Sequence, residues 1–257
     1  MHLLAGLEED ADAAQRYLQL FEALRGQLFR TFWSEEKGCF TNGPASDPNA
    51  FVTRYTNMFA LLFGYLNEEQ KQSVIRSVFL NSEVPPITTP YMKFYELLAM
   101  CEAGLFSEVA SHIRSYWGGM VGLGCTSFWE EYDPQKSGAQ HYAMYGKKYG
   151  KSLCHAWGAG PILIFAKYGL GVMPVKPGYQ EFRVEPHLPD GLDFMEGVVP
   201  VPNGDIRVHV SRKKVLVENR TDRVGRLILD GRETIVLAHS SLSVIRQQEA
   251  VPAVCRL

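Results

Sequence analysis

The stretch Lys151–Tyr179 reads KSLCHAWGAGPILIFAKYGLGVMPVKPGY, and the chain changes character inside it. Its first part is apolar nearly all round, as expected of a helix enclosed by other helices. Ser152 stands where an N-cap belongs, so a helix is predicted over Ser152–Tyr168 with His155 in its first turn. Gly158, Gly160 and Pro161 permit close packing and a kink. Pro174 and Pro177 then stop the helix, because proline has no amide hydrogen to continue it.

Upstream of residue 172 the pattern is helical. In AAQRYLQLFEALRGQLFRTFW, residues Tyr17, Leu18, Phe21, Leu24, Leu28 and Phe32 recur at i, i+3, i+4 spacing on one helix face. SEEKGCFTNGPASDPNAF reads as a loop. Further helices are predicted over Tyr55–Tyr65, Glu68–Leu80, Tyr91–Glu102 and Phe106–Tyr116. Short and long links alternate between them, which suggests layered helical hairpins. Downstream the pattern is strand. Asn203-Gly204 and Asp230-Gly231 each lie between β-branched runs, a strong signal for tight hairpins. In DIRVHV, Ile206, Val208 and Val210 alternate with Arg207 and His209, as in a sheet with one wet face. Six or seven short strands suggest a small antiparallel β-sandwich. The expected organisation is therefore a helical part over 1–171 and a C-terminal β-sandwich over 172–257, a mainly α plus β fold.

The 257 residues are enough for a substantial core. Lys and Arg total 26 against 28 Asp and Glu, a net charge of -2, which argues against a broad electrostatic grip on nucleic acid. No apolar run approaches the ~20 residues that span a bilayer, so no membrane partner is expected. The opening MHLLAGLEEDADAAQRY lacks the basic start of a secretory signal. Cytoplasmic and periplasmic locations both stay open. The five cysteines, at 39, 101, 125, 154 and 255, show no CxxC spacing, and no HxxxH arrangement exists. Neither a metal nor a cofactor is expected. Asn219-Arg220-Thr221 has the form of a glycosylation acceptor and is read as idle.

Chemistry is expected around Trp117, Trp129 and Trp157, which fall on or beside the long link between the last two helices. Glu130, Glu131, Asp133, His141 and His155 share that stretch. Aromatic faces beside carboxylates and an imidazole suit sugar recognition, since rings cover CH faces while polar groups meet hydroxyls. A packed core beside a solvated loop would place the same residues together. In GCTSFWEEYDP, Gly122 and Gly124 allow a tight turn and Thr126 and Phe128 alternate as in an extended segment. Glu130 follows Trp129, and desolvation against the indole is expected to raise its pKa. Glu130 and Glu131 should point oppositely, so one of them faces solvent. His155 would either bond a sugar hydroxyl, orient the carboxylate, or sit satisfied in the core.

Taken together, TSFWEEYDP, SLCHAWGAGPILIFAKYGLGVMPVKPGY, FRVEPHL and EGVVPVPNGDIRVHV resemble the C-terminal part of bacterial α-L-rhamnosidases of glycoside hydrolase family 78. TPYMKFYELLAMCEAG and YWGGMVGLG are similar to that family's helical region. The resemblance implies an (α/α)6 barrel followed by a β-sandwich, and inverting hydrolysis of terminal α-L-rhamnosides. It makes Glu130 the general base and His155 a contact to sugar hydroxyls. Trp129 and Trp157 fall at matching positions, for substrate binding or for packing. The partner implied is a rhamnose-containing oligosaccharide or glycoside.

The family's general acid lies in an Asp- and Trp-rich segment of the DGxxRDxxxW kind, which this sequence lacks. Glu35-Glu36 and Asp47 do not fit that pattern. Six predicted helices are half of a twelve-helix barrel. The expectation is a C-terminal portion whose missing N-terminal catalytic part supplies the acid, or which associates with copies of itself. A non-catalytic carbohydrate-binding remnant is the alternative, and an interaction module without sugar chemistry a third.

Overall fold

The computed structural model describes residues 1–246, so Cys255 lies outside the described residues. The chain forms two compact units that divide between Gly104 and Leu105. The change from helix to strand near residue 172 falls inside the second unit.

The first unit begins with α1 (His2–Leu7) and α2 (Ala11–Phe32), the latter capped by the Asp10 carboxylate, which accepts from the Ala13 amide. No residue of α2 is buried, so its predicted apolar face is only half covered. Two short strands follow, β1 (Trp33–Ser34) and β2 (Cys39–Phe40), paired antiparallel inside the segment expected to be loop. Next come α3 (Arg54–Leu62), α4 (Glu68–Val74) and α5 (Pro90–Glu102). Asn67 and Gln70 form a reciprocal capping box on α4, which continues as one π-helical turn over Ile75–Phe79. The core gathers Phe40, Met58, Val78, Leu97 and Met100. Within it the Asn57 amide bonds both backbone groups of Phe40 at 2.9 Å. Glu96, wholly buried, pairs with Arg54 and Lys93 at 2.8 Å each. A lone buried carboxylate would be untenable, and two cations make it acceptable.

The second unit opens with α6 (Phe106–Gly122), longer than the predicted Phe106–Tyr116. Gly118 and Gly119 do not break it. A Cβ on Gly119 would stand 2.2 Å from the Tyr132 hydroxyl, so glycine is needed where that ring approaches. Gly124, at φ 83°, ends the helix in a Schellman arrangement, with Gly124 N–H donating to Val121 and Cys125 N–H to Met120. The helix predicted over Ser152–Tyr168 is corrected. A 3₁₀ turn spans Ala156–Ala159, α7 covers only Gly160–Ile164, and a π-helical turn closes at Phe165–Gly169. Ser152 is not an N-cap, because residues 152–155 lie outside any helix, bending at Leu153–Cys154, and the backbone of Ser152 and His155 bonds to Glu130 and Phe128 instead.

Eight strands follow: β3 (Val172–Pro174), β4 (Glu181–Val184), β5 (Phe194–Val201), β6 (Gly204–Ser211), β7 (Lys214–Asn219), β8 (Val224–Leu229), β9 (Arg232–Val236) and β10 (Ser240–Ile245). They make two four-stranded sheets, ordered β10-β7-β6-β5 and β3-β4-β8-β9. Pairing is antiparallel except for β4 with β8, which run parallel. Ile206, Val208, Val210, Val215 and Val217 from one sheet meet Val172, Phe182, Val184, Leu227 and Val236 from the other in one hydrophobic cluster. The alternation read in DIRVHV therefore points its apolar side inward. Asp230 (φ 51°) and Gly231 (φ 72°) form a two-residue turn with both φ positive. At the other hairpin Val201 pairs with Gly204, so the loop residues are Pro202 and Asn203 rather than Asn203-Gly204. Proline then asparagine at φ 69° is the order of a type II turn. Asn219 is buried with its amide donating to the carbonyls of Arg223 and Leu237, a structural duty for the acceptor-like tripeptide.

Candidate functional site

Phe128–Glu130 and Ser152–His155 lie side by side. The Glu130 amide donates to the Ser152 carbonyl at 3.0 Å, and the His155 amide to the Phe128 carbonyl at 2.7 Å. The Ser127 hydroxyl donates to the Leu153 carbonyl, tying the same two segments again. Burial alternates along Trp129, Glu130 and Glu131. Trp129 goes inward, 4% exposed, its ring 5.8 Å from that of Tyr142. Glu130 goes outward.

The Glu130 carboxylate accepts from the Tyr145 hydroxyl at 2.5 Å on Oε1 and from the Ser152 amide at 3.0 Å on Oε2. These bonds hold its pKa below the ordinary carboxylate value, the Tyr145 hydroxyl contributing most. His155 and Lys151 act in the same direction. The expected rise against the indole is overturned, because Trp129 points away and donors surround the carboxylate instead. Glu131 turns to the opposite side and is buried, 2.6 Å from Lys136 and 2.5 Å from Lys151. Burial alone would raise the Glu131 pKa, but hydrogen bonds from Lys136 and Lys151 more than offset it and leave it lowered.

His155 takes the N-cap place of the 3₁₀ turn, with φ -124° and ψ 105°. Its ring meets Trp157 edge-on, at 5.6 Å and 87°. Trp157 is 63% exposed and is the indole that reaches solvent here. Trp117 is buried, donating Nε1–H to the Gly158 carbonyl at 2.8 Å, which locks the turn after Trp157 to α6. A Cβ on Gly158 would come within 2.6 Å of Phe128 Cβ, so glycine lets the turn lie against the Glu130 segment. His141 is buried and stacked on Tyr132 at 6.0 Å, away from this surface group.

Tyr145 and Ser152 were missed from the sequence. Met144 and Lys147 pair across a two-residue turn in which Tyr145 has φ 54° and Gly146 φ 73°. The Tyr-Gly pair is a weak turn signal, since a bulky residue rarely adopts positive φ. The Ser152 donor is a backbone amide, which no side-chain pattern reveals. Chemically, the site offers one ionised, accessible carboxylate, an imidazole and an exposed indole.

Residues 171–220 match the family model described as the bacterial α-L-rhamnosidase C-terminal domain. No curated protein matches the chain. Among solved structures, the chain is similar to the GH78 family rhamnosidase of Bacillus sp. GL1, with 25% identity and a TM-score of 0.65 over 84% of this chain and 22% of that one. It shares a fold with the α-L-rhamnosidase from Aspergillus terreus, at 13% identity and a TM-score of 0.79, covering 95% of this chain and 28% of that one. The same holds for the Streptomyces avermitilis α-L-rhamnosidase complexed with L-rhamnose, at 13% identity and a TM-score of 0.73, covering 95% and 25%. The chain spans about a quarter of the length of the solved rhamnosidases it matches.

Proposed function

On the premise that this chain is similar to the C-terminal part of the family 78 α-L-rhamnosidases, we propose that it contributes half of the catalytic site of an inverting glycoside hydrolase. The substrate would be a terminal α-L-rhamnoside. In this reading residues 1–171 form half of an (α/α)6 barrel, followed over residues 172–257 by a β-sandwich. Glu130 is the general base. The observation that carries this role is its carboxylate, held ionised by the Tyr145 hydroxyl and the Ser152 amide and open to solvent. Inversion places a water between the base and a general acid ~6.5–9.5 Å away. Glu130 takes the proton of that water as the water attacks the anomeric carbon, while the acid protonates the departing oxygen.

His155 would bond sugar hydroxyls, and the exposed Trp157 would cover an apolar sugar face. Trp129, packed on Tyr142, would serve by holding the segment rather than by touching sugar. The acid would come from a further portion of the enzyme, consistent with a chain that spans about a quarter of its solved relatives.

One observation favours a non-catalytic sugar-binding remnant instead. The neighbouring carboxylate, Glu131, is held ionised between two lysines and so has no proton to donate. Hydrolysis of p-nitrophenyl α-L-rhamnoside separates the two. Turnover that disappears in Glu130→Gln supports the catalytic role. Rhamnose binding without turnover supports the remnant, and absence of both removes the sugar reading.

A further inference from the structure

Glu130 is held on its solvent side, and the same two segments are joined again on the buried side. Glu131, next in the chain, faces Lys151, which precedes Ser152. Consecutive α-carbons stand ~3.8 Å apart, so whatever fixes Glu131 and Lys151 also fixes Glu130 and Ser152. The Lys151 ammonium lies 2.5 Å from Glu131 Oε2, its side chain wholly buried and that of Glu131 8% exposed. Neither Lys151 Nζ nor Glu131 Oε2 has a hydrogen-bond partner elsewhere among the described residues, so each answers only the other. Glu131 Oε1 meets Lys136 at 2.6 Å from within the loop, and the Lys151 amide donates to the Tyr142 carbonyl at 3.1 Å. The loop between positions 131 and 151 is thus drawn in at its base. It carries Tyr145, whose hydroxyl reaches Glu130.

A buried ion pair adds little to stability over apolar side chains of similar size, so this one is better suited to fix geometry than to add stability. An apolar contact lets two segments slide past one another, whereas a short ion pair holds one separation. We propose that Glu131 and Lys151 are a positioning pair, which sets the Glu130 carboxylate against the Ser152 amide and the Tyr145 hydroxyl. Neither residue touches substrate; both act through Glu130 from behind. For its bearing on catalysis the proposal rests on Glu130 as the base, while the positioning itself is read without substrate.

The test is Glu131→Asp, which keeps every charge and shortens the arm by one methylene. In the whole chain the Glu130 carboxyl titration and the exchange of the Ser152 amide are followed, beside urea unfolding. The Ser152 amide should lose about tenfold of its protection, as for one weakened bond to a charged group. The Glu130 midpoint should move upward, because that amide and the Tyr145 hydroxyl hold it low. No charge has changed, so an altered field does not explain the shift. Glu131→Leu/Lys151→Met is the second variant. It replaces the pair by apolar side chains, leaves the partly exposed Lys136 free to turn to solvent, and should give the same two changes without a lowered urea midpoint. Values equal to wild type in Glu131→Asp, or in the double variant should the first not fold, overturn the proposal. So does a loss seen only in step with global unfolding. L-Rhamnose and p-nitrophenyl α-L-rhamnoside are offered to the wild-type chain in parallel. A response to either, with the titration unmoved in Glu131→Asp, fails the positioning pair alone. A moved titration with no response to either sugar fails the base reading alone.

Discussion

Two hydrogen bonds hold the Glu130 pKa below the ordinary carboxylate value, and that makes its behaviour with pH predictable. Its folded-state pKa lies below the ordinary value, so the carboxylate persists as pH falls until that lowered value is passed. Any binding or turnover that needs the ionised form is lost only on that acid side. Tyr145→Phe removes the largest lowering influence, so the titration midpoint of the Glu130 carboxyl carbon should move upward, and the acid limb of sugar binding with it. An unchanged midpoint in a carbon-detected titration would show that the hydroxyl does not govern the carboxylate. Glu131 answers differently because it is buried. Lys151→Met leaves it with Lys136 alone, and removing one partner of a buried pair should destabilise by about 3 kcal/mol, read in urea unfolding. At this scale the sequence pointed correctly to opposite directions for Glu130 and Glu131. It misjudged the pKa because the donors, a tyrosine 15 positions away and a backbone amide, leave no local signature.

Short elements carry the site, and glycines decide how closely they approach. Gly158 lets the Ala156–Ala159 turn rest on Phe128 while its carbonyl accepts from Trp117. Gly158→Ala forces a contact with Phe128 Cβ, and overpacking of this kind should lower stability by about 1–3 kcal/mol, measurable by chemical denaturation. A matching loss of amide protection at His155 is expected, since its bond to the Phe128 carbonyl crosses the same contact. Helix periodicity was legible for α3, α5 and α6, where one face is buried, and α4 was marked instead by its polar start at Asn67 and the apolar turn that continues it. Periodicity failed at residues 152–155, because their backbone groups bond to Phe128 and Glu130, partners that it does not reveal. Hairpin turns were legible from Asp230-Gly231. The Pro202-Asn203 loop was displaced by one residue from the expected pair, since proline favours the first central position of a type II turn.

Across the whole molecule, apolar side chains remain in water in several places. Leu3, Leu4 and Leu7 on α1, Leu20 and Leu24 on α2, and Ile162 and Leu163 on α7 are exposed. Exposed apolar surface drives association. Light scattering of this chain alone should report assemblies larger than a monomer, and a clean monomer with cooperative unfolding would contradict that. The first unit also contains a stability test that is independent of the site. Glu96→Ala strands Arg54 and Lys93 as buried cations, and about 3–5 kcal/mol of destabilisation is expected, seen as a lowered thermal midpoint.

The sequence by itself determined where helix gives way to strand, which valines face the sheet interior, and that Glu130 and Glu131 point to opposite sides. These follow from periodicity, proline and turn chemistry, which act over a few residues. Only the tertiary structure decided that Ser152–His155 is held against Phe128–Glu130 outside any helix, that Glu131 is neutralised by Lys136 and Lys151, and that Tyr145 reaches Glu130. Each of these joins groups up to some two dozen positions apart through directional bonds. Such bonds depend on how the loop closes, and hydrophobic pattern holds no record of it.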